Sequence, residues 1–335
     1  MNPRPAMSAL PQRPLGRGGP AVSVVTFGGM RFNETPLAGG VSRALLAALE
    51  GGVTCLDTAR NYQDSEAVIG RTLREWAGPR PVLCTKVKPL DPTNFRFHVP
   101  IEQQFTPASI RASVEASLRD LGVDCIDLLQ LHQWYALWTH RPEWLETFRA
   151  LRTEGKIRRC GISAQDHEHD ALLPVVAAGL VEVVQIIFNL FESRPLVALL
   201  PLCAERGVGV IARCVLDHSG ALTGTHDAAW LLANDFKLKH ASPGVAQEYV
   251  ARIARLEAEV ARPAEMSMTE LAIRFALSHP AVSTLTLSMQ EPAHVGPNLA
   301  AAARGPLPAE LVERIAREHV WVKNFYYYTK APPKH

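Results

Sequence analysis

Four side chains able to transfer or orient a proton stand in, or just beyond, short apolar runs of the chain. Asp57 lies in the run VTCLDT, Lys86 in PVLCTKV and His132 in CIDLLQLH, while Tyr62 follows Asp57 by five positions. A carboxylate, an ammonium, an imidazole and a phenol together suit the reduction of a carbonyl group. Hydride arriving at the carbonyl carbon leaves an alkoxide, which must gain a proton as it forms.

Tyr62 is the natural proton donor of this set. A free phenol has a pKa of about 10, and a neighbouring ammonium stabilises the phenolate and lowers that value. Lys86 can supply the charge, Asp57 can hold it in a buried ion pair, and His132 can orient the substrate oxygen. Taken singly, Asp57 before Thr58 could cap a turn, His132 could be a structural histidine and Tyr62 a surface aromatic. Lys86 is harder to explain that way, because an ammonium ending an apolar run is costly to bury without a partner.

The elements that carry these residues alternate between short apolar runs and longer segments of helical period, which is typical of βα units around a parallel sheet. Eight predicted strands span residues 22–28, 53–58, 81–87, 125–132, 156–163, 181–188, 208–215 and 282–288. This count favours an α/β fold, a closed (β/α)8 TIM barrel, over an open doubly wound sheet, and no GxGxxG follows the first strand. Barrel active sites lie at the carboxyl ends of the strands, where Asp57, Lys86 and His132 would converge.

Two predicted helices carry start signals. Thr106 precedes Pro107, which gives an N-cap followed by proline at the first helical position. Ser65 precedes Glu66 at the start of the second helix and is a candidate cap of the same kind.

The domain organisation follows from the same pattern. Residues 1–13 are expected to be a flexible N-terminus, and residues 14–335 a single barrel domain. Within that domain, residues 217–262 form a long insertion between the seventh strand and its helix, and insertions of this length on a barrel are usually functional. Residues 307–335 add a final helix and a tail with Phe325, Tyr326, Tyr327 and Tyr328.

Composition narrows the class of partner. Of the 335 residues, 47% are hydrophobic, and 35 basic against 33 acidic residues give a formal net charge of +2. No block of like charge is long enough to bind a nucleic acid or a membrane surface, so a small-molecule carbonyl compound is the expected partner. The chain is expected to act as a monomer or a homo-oligomer.

Cysteine usage and the N-terminus indicate the compartment. Six cysteines are scattered without a CxxC pair, mostly in apolar runs: Cys55, Cys84, Cys125, Cys160, Cys203 and Cys214. This is typical of buried, reduced thiols, and no metal site is expected. The N-terminus lacks the apolar core of a signal peptide, and no apolar stretch reaches about 18 residues, so a soluble cytoplasmic protein is predicted.

Three motifs resemble those of the aldo-keto reductase superfamily. The stretch LDTARNYQDSEAVIG over residues 56–70 is similar to its DTAxxYGxSE signature, TKV to its lysine strand, and DCIDLLQLH over residues 124–132 to its histidine strand. The resemblance runs over about residues 14–325. It implies a barrel that binds NADP(H) in an extended pose, with a catalytic tetrad of Asp57, Tyr62, Lys86 and His132.

The resemblance also implies a set of cofactor contacts. Those before the loop of the seventh strand are Gly29, Met30, Asp57, Ser163, Gln165, Gln185 and Arg213. Those in that loop are Cys214, Val215, Leu216, Asp217, Ser219 and Leu222, and those after the eighth strand are Ser288, Met289, Gln290, His294 and Asn298. Ser163 and Gln165 match the element that holds the carboxamide, and backbone groups at 215–220 can cradle a pyrophosphate.

Two positions depart from the family pattern. Arg213 stands where an aromatic residue commonly stacks on the nicotinamide, and Gln290 where an arginine grips the ribose 2′-phosphate. A neutral glutamine offers one hydrogen bond where arginine offers a bidentate ionic contact, so selectivity for NADPH should be weak. NADP(H) is still favoured over NAD(H), because a helix N-terminus follows Gln290 and a protonated His294 could add charge. The alternative is that Gln290 is an ordinary surface residue.

The substrate pocket is predicted to be lined by Phe32, Trp134 and Tyr135, together with Met30, Trp138 and the tail aromatics. Aromatic walls favour a flat or apolar carbonyl compound, although Trp138 and the tail could instead pack between subunits or close the barrel.

The leading hypothesis is an NAD(P)H-dependent reductase of an aldehyde or ketone. The alternatives are a cofactor-binding, redox-sensing subunit of slow turnover, and a pathway-specific enzyme that works oxidatively or catalyses a redox-neutral rearrangement.

Overall fold

A computed structural model describes residues 10–31, 38–91, 99–235, 243–319 and 321. Within this part of the chain, eight parallel strands close into a barrel, each paired with its sequence neighbours and the last with the first. These strands are β3 (Val25–Gly28), β4 (Cys55–Asp57), β5 (Val82–Val87), β6 (Ile126–Leu131), β7 (Ile157–Ser163), β8 (Val183–Ile187), β9 (Gly209–Arg213) and β10 (Val282–Leu287). Each falls within one of the eight predicted runs, and the predicted (β/α)8 barrel is confirmed.

Helices follow the barrel strands and pack around them. The barrel helices are α1 (Ala38–Glu50), α2 (Ser65–Glu75), α3 (Pro107–Leu121), α4 (Trp144–Thr153), α5 (Leu173–Ala177), α6 (Leu199–Arg206), α9 (Met268–Ala276) and α10 (Pro292–Ala303). Helix α3 begins as predicted: Thr106 caps it, its side chain accepting the backbone N–H of Ser109 in a capping box. Helix α2 differs, because Ser65 is its first residue and Asp64 occupies the cap position.

An N-terminal hairpin covers the amino end of the barrel. Strands β1 (Gln12–Pro14) and β2 (Ala21–Ser23) pair antiparallel, and residues 10–13 belong to this packed unit. The expectation that residues 1–13 are flexible is therefore wrong for at least residues 10–13. Leu15 and Val22 are fully buried against side chains at the lower ends of the barrel strands, including Cys55, Cys84 and Ile211. The N-terminal hairpin therefore closes the barrel on the side opposite the site.

The insertion after β9 is helical. A tight turn over residues 218–223 leads to α7 (Ala228–Asn234) and α8 (Pro243–Leu256), and α8 continues into a short π-helical turn over Glu257–Ala261. Tyr249 of α8 donates a hydrogen bond to the buried Asp217 carboxylate, which anchors the insertion to the β9 loop.

The C-terminal part adds the predicted final helix, α11 (Ala309–Glu318). Trp321 beyond it packs edge-on against Phe191 and Tyr249, and the guanidinium of Arg252 lies 4.9 Å from its ring. The tail aromatics at 325–328 lie outside the described residues. Across the described part of the chain, no helix is both long and apolar enough to cross a membrane.

Candidate active site

A buried ion pair lies at the carboxyl end of the barrel. Asp57 is the last residue of β4 and Lys86 the penultimate residue of β5, so adjacent parallel strands present both side chains on the same face. The Lys86 Nζ atom lies 2.6 Å from Asp57 Oδ2 and donates a second bond of 2.8 Å to the carbonyl oxygen of Thr58. Burial alone lowers the pKa of Lys86, but the attraction of Asp57 outweighs it and the pKa is raised. Lys86 is therefore a fixed, buried positive charge.

A hydrogen-bonded chain supports the second oxygen of Asp57. Gln185, on β8, donates from Nε2 to Asp57 Oδ1 at 3.0 Å, and Ser163, the last residue of β7, donates to Gln185 Oε1 at 3.0 Å. All three side chains are buried. Ser163 and Gln185 thus contact the tetrad through Asp57, which fixes the carboxylate from three strands.

Tyr62 lies in the loop after β4, half-buried and next to the ion pair. The Lys86 Nζ atom is 5.0 Å from the centre of its ring. Burial raises the pKa of the Tyr62 phenol, and the nearby Lys86 ammonium only partly offsets this rise. The net direction differs from the sequence expectation that Lys86 lowers it. Tyr62 is accordingly protonated near neutral pH and can donate its hydrogen.

His132 follows β6 and stands beside Tyr62, with the two ring centres 5.5 Å apart and the planes nearly perpendicular. Its Nδ1 atom lies 2.8 Å from Oδ1 of Asn61. Burial lowers the pKa of His132 well below its usual value, and the charges of Lys86 and Arg213 lower it further. The imidazole is therefore neutral near pH 7.

Buried polar contacts fix the start of the loop that carries Tyr62. The Ser65 hydroxyl donates to the carbonyl oxygen of Gly29 at 2.9 Å and lies 2.8 Å from the Thr58 hydroxyl. A Cβ atom at Gly29 would come within 2.7 Å of Ser65 Oγ and 2.9 Å of the Asp57 carbonyl oxygen, so only glycine fits there. The predicted contact of Gly29 with a cofactor can therefore involve its backbone alone.

Arg60 ties the same loop to two helices. Its guanidinium pairs with the buried Glu66 carboxylate of α2 and lies 2.6 Å from Asp120 of α3. Glu66 also accepts a 2.6 Å bond from the Thr85 hydroxyl on β5. The backbone from Asp57 to Tyr62 is thus braced on both sides.

Arg213 ends β9 and is held by the loop after β7. Its guanidinium lies 2.9 Å from the Asp166 carboxylate and donates a 2.9 Å bond to the carbonyl oxygen of Ala164. Gln165, between them, accepts the backbone N–H of Trp134 at 2.9 Å. Residues 164–166 therefore connect the upper ends of β6, β7 and β9.

Most of the predicted cofactor positions lie at or just beyond the carboxyl ends of β7, β9 and β10. Several keep a buried polar atom with no hydrogen-bond partner among the described residues: Gln165 Nε2, Arg213 Nε, Ser219 Oγ and Gln290 Oε1. Buried polar atoms are normally paired, so these four fit a polar ligand lying at these strand ends. The residues present therefore fit a nicotinamide dinucleotide, whose amide and phosphate groups need such partners.

Three other predicted cofactor positions can offer only their backbone. Val215, Leu222 and Met289 are buried in the hydrophobic core, with exposed fractions of 1%, 0% and 0%. Leu216 is partly buried against the same core, and Asn298 is 7% exposed. Met30 is half exposed at the rim.

The end of β10 carries a carboxylate that sequence reasoning missed. Ser288 is exposed and Gln290 half-buried, and Glu291 follows at the N-cap of α10 without capping it. The imidazole of His294 lies 3.9 Å from the Glu291 carboxylate. A positive charge on His294 would thus be partly neutralised where we expected it to favour a phosphate.

The predicted pocket aromatics are placed differently. Trp134 does not face the site: it is fully buried, and its ring packs edge-on against Trp138 and Trp144 in the core. This corrects the prediction for Trp134, because burying so large an apolar ring under the β6 loop is more favourable than exposing it. Tyr135 packs on Trp138 and accepts a bond from Gln133, whereas Phe32 lies outside the described residues.

Three contacts of the site were not anticipated. Asn61 contacts His132, Asp166 pairs with Arg213, and His218 lies beside Cys214. Asn61 directly precedes Tyr62 and Asp166 directly follows Gln165, so both could have been proposed as site residues because they neighbour predicted ones in the sequence. His218 lies four positions after Cys214 in an irregular loop, where spacing predicts no contact.

Comparison with known proteins agrees with this geometry. Residues 24–318 match the model of the aldo/keto reductase family, and the chain belongs to that family. Over 191 residues it is 30% identical to the NADH-specific methylglyoxal reductase of Escherichia coli (strain K12), spanning 54% of this chain and 57% of that protein. It is 28% identical over 294 residues to the D-threo-aldose 1-dehydrogenase of a Pseudomonas species, covering 81% of this chain and 85% of that protein.

A solved structure supports the same fold. The chain superposes on aldo-keto reductase AKR11C1 from Bacillus halodurans in its holo form with a TM-score of 0.72 and 26% identity. That match covers 93% of this chain and 98% of the other. The relatives are carbonyl and aldose oxidoreductases by name, so an oxidoreductase of this family is established for the chain at that level.

Proposed function

We propose that this protein reduces an aldehyde or ketone to an alcohol with a nicotinamide dinucleotide, using Tyr62 as the general acid. The observation that carries the proposal is the placement of a protonated phenol beside a buried ammonium and a neutral imidazole. When bound, the reduced nicotinamide supplies the hydride that reaches the carbonyl carbon. The remaining chemistry belongs to the side chains of this chain.

Tyr62 donates its phenolic proton to the substrate oxygen as negative charge builds on it. The resulting phenolate is stabilised by Lys86, whose charge the raised pKa keeps in place throughout. Asp57 takes no part in the transfer and positions the ammonium, with Gln185 holding its other oxygen. Because the proton donor and its stabilising charge are fixed before reaction, little reorganisation is needed at that step.

His132 orients the substrate oxygen next to Tyr62. To donate a hydrogen bond it must carry its hydrogen on Nε2, and Asn61 must then turn its amide nitrogen toward Nδ1. Asn61 lies at the protein surface, so a half-turn of its amide needs no repacking. A neutral imidazole in this role polarises the carbonyl group without competing with Tyr62 as the acid.

The cofactor would be held along the path from Gln165 to Gln290. Gln165 and Arg213 would meet the nicotinamide end, Ser219 and the backbone of the β9 loop the phosphates, and Gln290 the adenosine ribose. We propose a narrow preference for NADP(H) over NAD(H), based on the uncapped N-terminus of α10 and on Gln290. Glu291 opposes this preference, so both cofactors should bind, and fluorescence titration with each measures the ratio.

The substrate is proposed to be a small aldehyde or ketone. The named relatives act on methylglyoxal and on aldose sugars, and burial of Trp134 removes one of the predicted apolar walls. A panel should therefore contain dicarbonyls and sugars beside aromatic aldehydes. We further propose a cytoplasmic location, since the free thiols fit a reducing compartment; cell fractionation tests it.

The deciding experiment replaces Tyr62 with phenylalanine. The variant should bind NADPH as the wild type does and reduce the best panel substrate about 10²- to 10⁴-fold more slowly, the usual contribution of a general acid. Cofactor titration of the same preparation is the internal control for folding. Unchanged turnover in the variant would refute Tyr62 as the acid.

A further inference from the structure

Cys214 stands directly after Arg213, at the start of the β9 loop, and is partly exposed. Its Sγ atom lies 3.6 Å from Arg213 Nη1 and 3.9 Å from Nδ1 of His218. The cluster of Cys214, Arg213 and His218 thus brings two basic groups to one sulfur at the wall of the proposed cofactor path.

The position of the sulfur is fixed by its own backbone. Cys214 has a positive φ of 52°, in the left-handed region, and the buried side chain of Asn189 donates a 2.7 Å bond to its carbonyl oxygen. The same Asn189 accepts the backbone N–H groups of Phe191 and Glu192. The backbone that carries the thiol is therefore fixed by the loop after β8.

Cys214 differs from the other thiols of the chain in its electrostatic surroundings. Burial raises the pKa of Cys160 and of Cys203 to about 12, and also raises the pKa of the partly exposed Cys125. At Cys214 burial acts in the same direction, but His218 and Arg213 outweigh it and the pKa is lowered. Thiolate is the reactive form of cysteine, so reactivity should be concentrated here.

Two carboxylates also face this cluster and moderate its charge. Asp166, from the loop after β7, pairs with Arg213 at 2.9 Å and lies 3.8 Å from His218 Nε2. Asp217 adds a second negative charge on the β9 loop, itself bonded to Tyr249. Burial lowers the pKa of His218, but Cys214 and these carboxylates together raise it, so His218 can be charged near neutral pH.

We propose that Cys214, with His218 and Arg213, is a nucleophilic thiol site that reacts with hydroperoxides and soft carbon electrophiles. With hydrogen peroxide, the thiolate attacks one peroxide oxygen, an S–O bond forms and the O–O bond breaks. The sulfur is oxidised to a sulfenic acid, and the departing hydroxide takes a proton from the His218 imidazolium to become water. With iodoacetamide, an S–C bond forms and iodide leaves with the electron pair.

Modification at this site blocks the cofactor. The β9 loop is the proposed cradle of the dinucleotide, so this part of the inference rests on the proposed function, whereas the reactivity of the thiol does not. An added oxygen or acetamide group on Cys214 would occupy the space beside Arg213. Peroxide would thereby switch the protein from a cofactor-binding to a cofactor-free form, reversibly by thiol reduction.

The reactivity is tested by labelling the full-length protein with iodoacetamide at pH 7 and following each cysteine by peptide mass spectrometry. Cys125 is the matched comparison, because it is also partly exposed and has arginines nearby. Cys214 should be labelled severalfold faster than Cys125, because the pKa of Cys214 is lowered and that of Cys125 raised, which leaves more thiolate at Cys214 at pH 7. The His218→Gln variant should lose most of this advantage. Equal rates at Cys214 and Cys125 in the wild type would overturn the proposal.

The effect on cofactor is tested separately, by NADPH fluorescence. Saturating NADPH should slow labelling of Cys214 and leave Cys125 unchanged, and peroxide-treated protein should lose NADPH binding that dithiothreitol restores. Peroxide should leave the NADPH affinity of the Cys214→Ser variant the same as that of the untreated variant, whatever that affinity is, whereas Cys125→Ser should lose binding on peroxide treatment as the wild type does. Rapid labelling that NADPH does not slow, in a protein shown to bind NADPH, overturns the blocking step. A protein that binds neither NADPH nor NADH contradicts the proposed function and leaves the labelling result to stand by itself.

Discussion

Replacing Lys86 with methionine tests whether the buried ion pair is kept for chemistry or for folding. Lys86 is fully buried, and its ammonium bonds both Asp57 and the Thr58 carbonyl. Methionine fills a similar volume without the charge, and leaves the Asp57 carboxylate in the core with Gln185 as its remaining donor. Removing one partner of a buried pair in this way costs about 3–5 kcal/mol of stability.

A second substitution separates the loss of charge from the loss of packing. Asp57→Asn removes the orphaned negative charge while keeping an oxygen that can accept from Gln185. The double variant with Lys86→Met should therefore be clearly more stable than Lys86→Met alone, because it no longer buries a carboxylate whose charge has lost its partner. Both variants should lack measurable carbonyl reduction, since Tyr62 loses the charge that stabilises its phenolate.

The measurement is urea unfolding at pH 7 and again in the alkaline range. The raised folded-state pKa of Lys86 means that its contribution is complete below the unfolded-state pKa of about 10.4 and is lost as pH rises through the folded value. The stability advantage of the wild type over Lys86→Met should thus shrink above about pH 10.4. The reasoning is refuted if Lys86→Met unfolds like the wild type at pH 7, or if the double variant is no more stable than the single one.

Three further substitutions test the remaining contacts. Gln290→Arg should tighten NADPH binding by about 10- to 100-fold, because it adds a charged hydrogen bond to the 2′-phosphate, and should leave NADH affinity unchanged. Fluorescence titration measures both affinities, and equal effects on the two cofactors would contradict this prediction. In the wild type the pKa of His132 is lowered, so the reaction rate should not fall near pH 6.5 through protonation of His132. In Asn61→Asp the added carboxylate should raise that pKa, so the rate should begin to fall at a pH closer to neutrality. An unchanged profile counts against the contact. Tyr249→Phe should release cofactor roughly tenfold faster in stopped flow by freeing Asp217, and should also lower the free energy of unfolding by about 1–3 kcal/mol, because a buried carboxylate loses its donor.

The barrel and its four central residues follow from the sequence because each is encoded locally. An apolar run ending in a polar residue specifies both the strand and the end at which the side chain emerges, as Asp57 and Lys86 illustrate. The helix start at Thr106 is equally local, since the capping hydroxyl and the N–H it satisfies are three residues apart. Such features need no knowledge of the rest of the chain.

Contacts between distant segments could not be predicted in this way. The first predicted strand, residues 22–28, divides into the hairpin strand β2 and the barrel strand β3, because apolar character continues across Val24 while the pairing partner changes. Trp134 follows a strand end like His132 but turns into the core, where Trp138 and Trp144 complete an aromatic cluster. The spacing and polarity of residues in the sequence do not distinguish an aromatic side chain that lines the active site from one buried in the core next to it.

The departures of this chain from its family pattern lie on the cofactor side of the site. Arg213 and Gln290 are changes of charge relative to that pattern, and a thiol, Cys214, directly follows Arg213, whereas all four residues of the tetrad are present. In the proposed binding mode Arg213 would lie beside the nicotinamide and disfavour its oxidised, positively charged form, and the Asp166 pairing at 2.9 Å would limit that effect. Differences from its relatives should therefore be sought first in cofactor affinity, redox preference and thiol sensitivity. The proton transfer at Tyr62 should differ least, because the groups that control it are buried and mutually bonded.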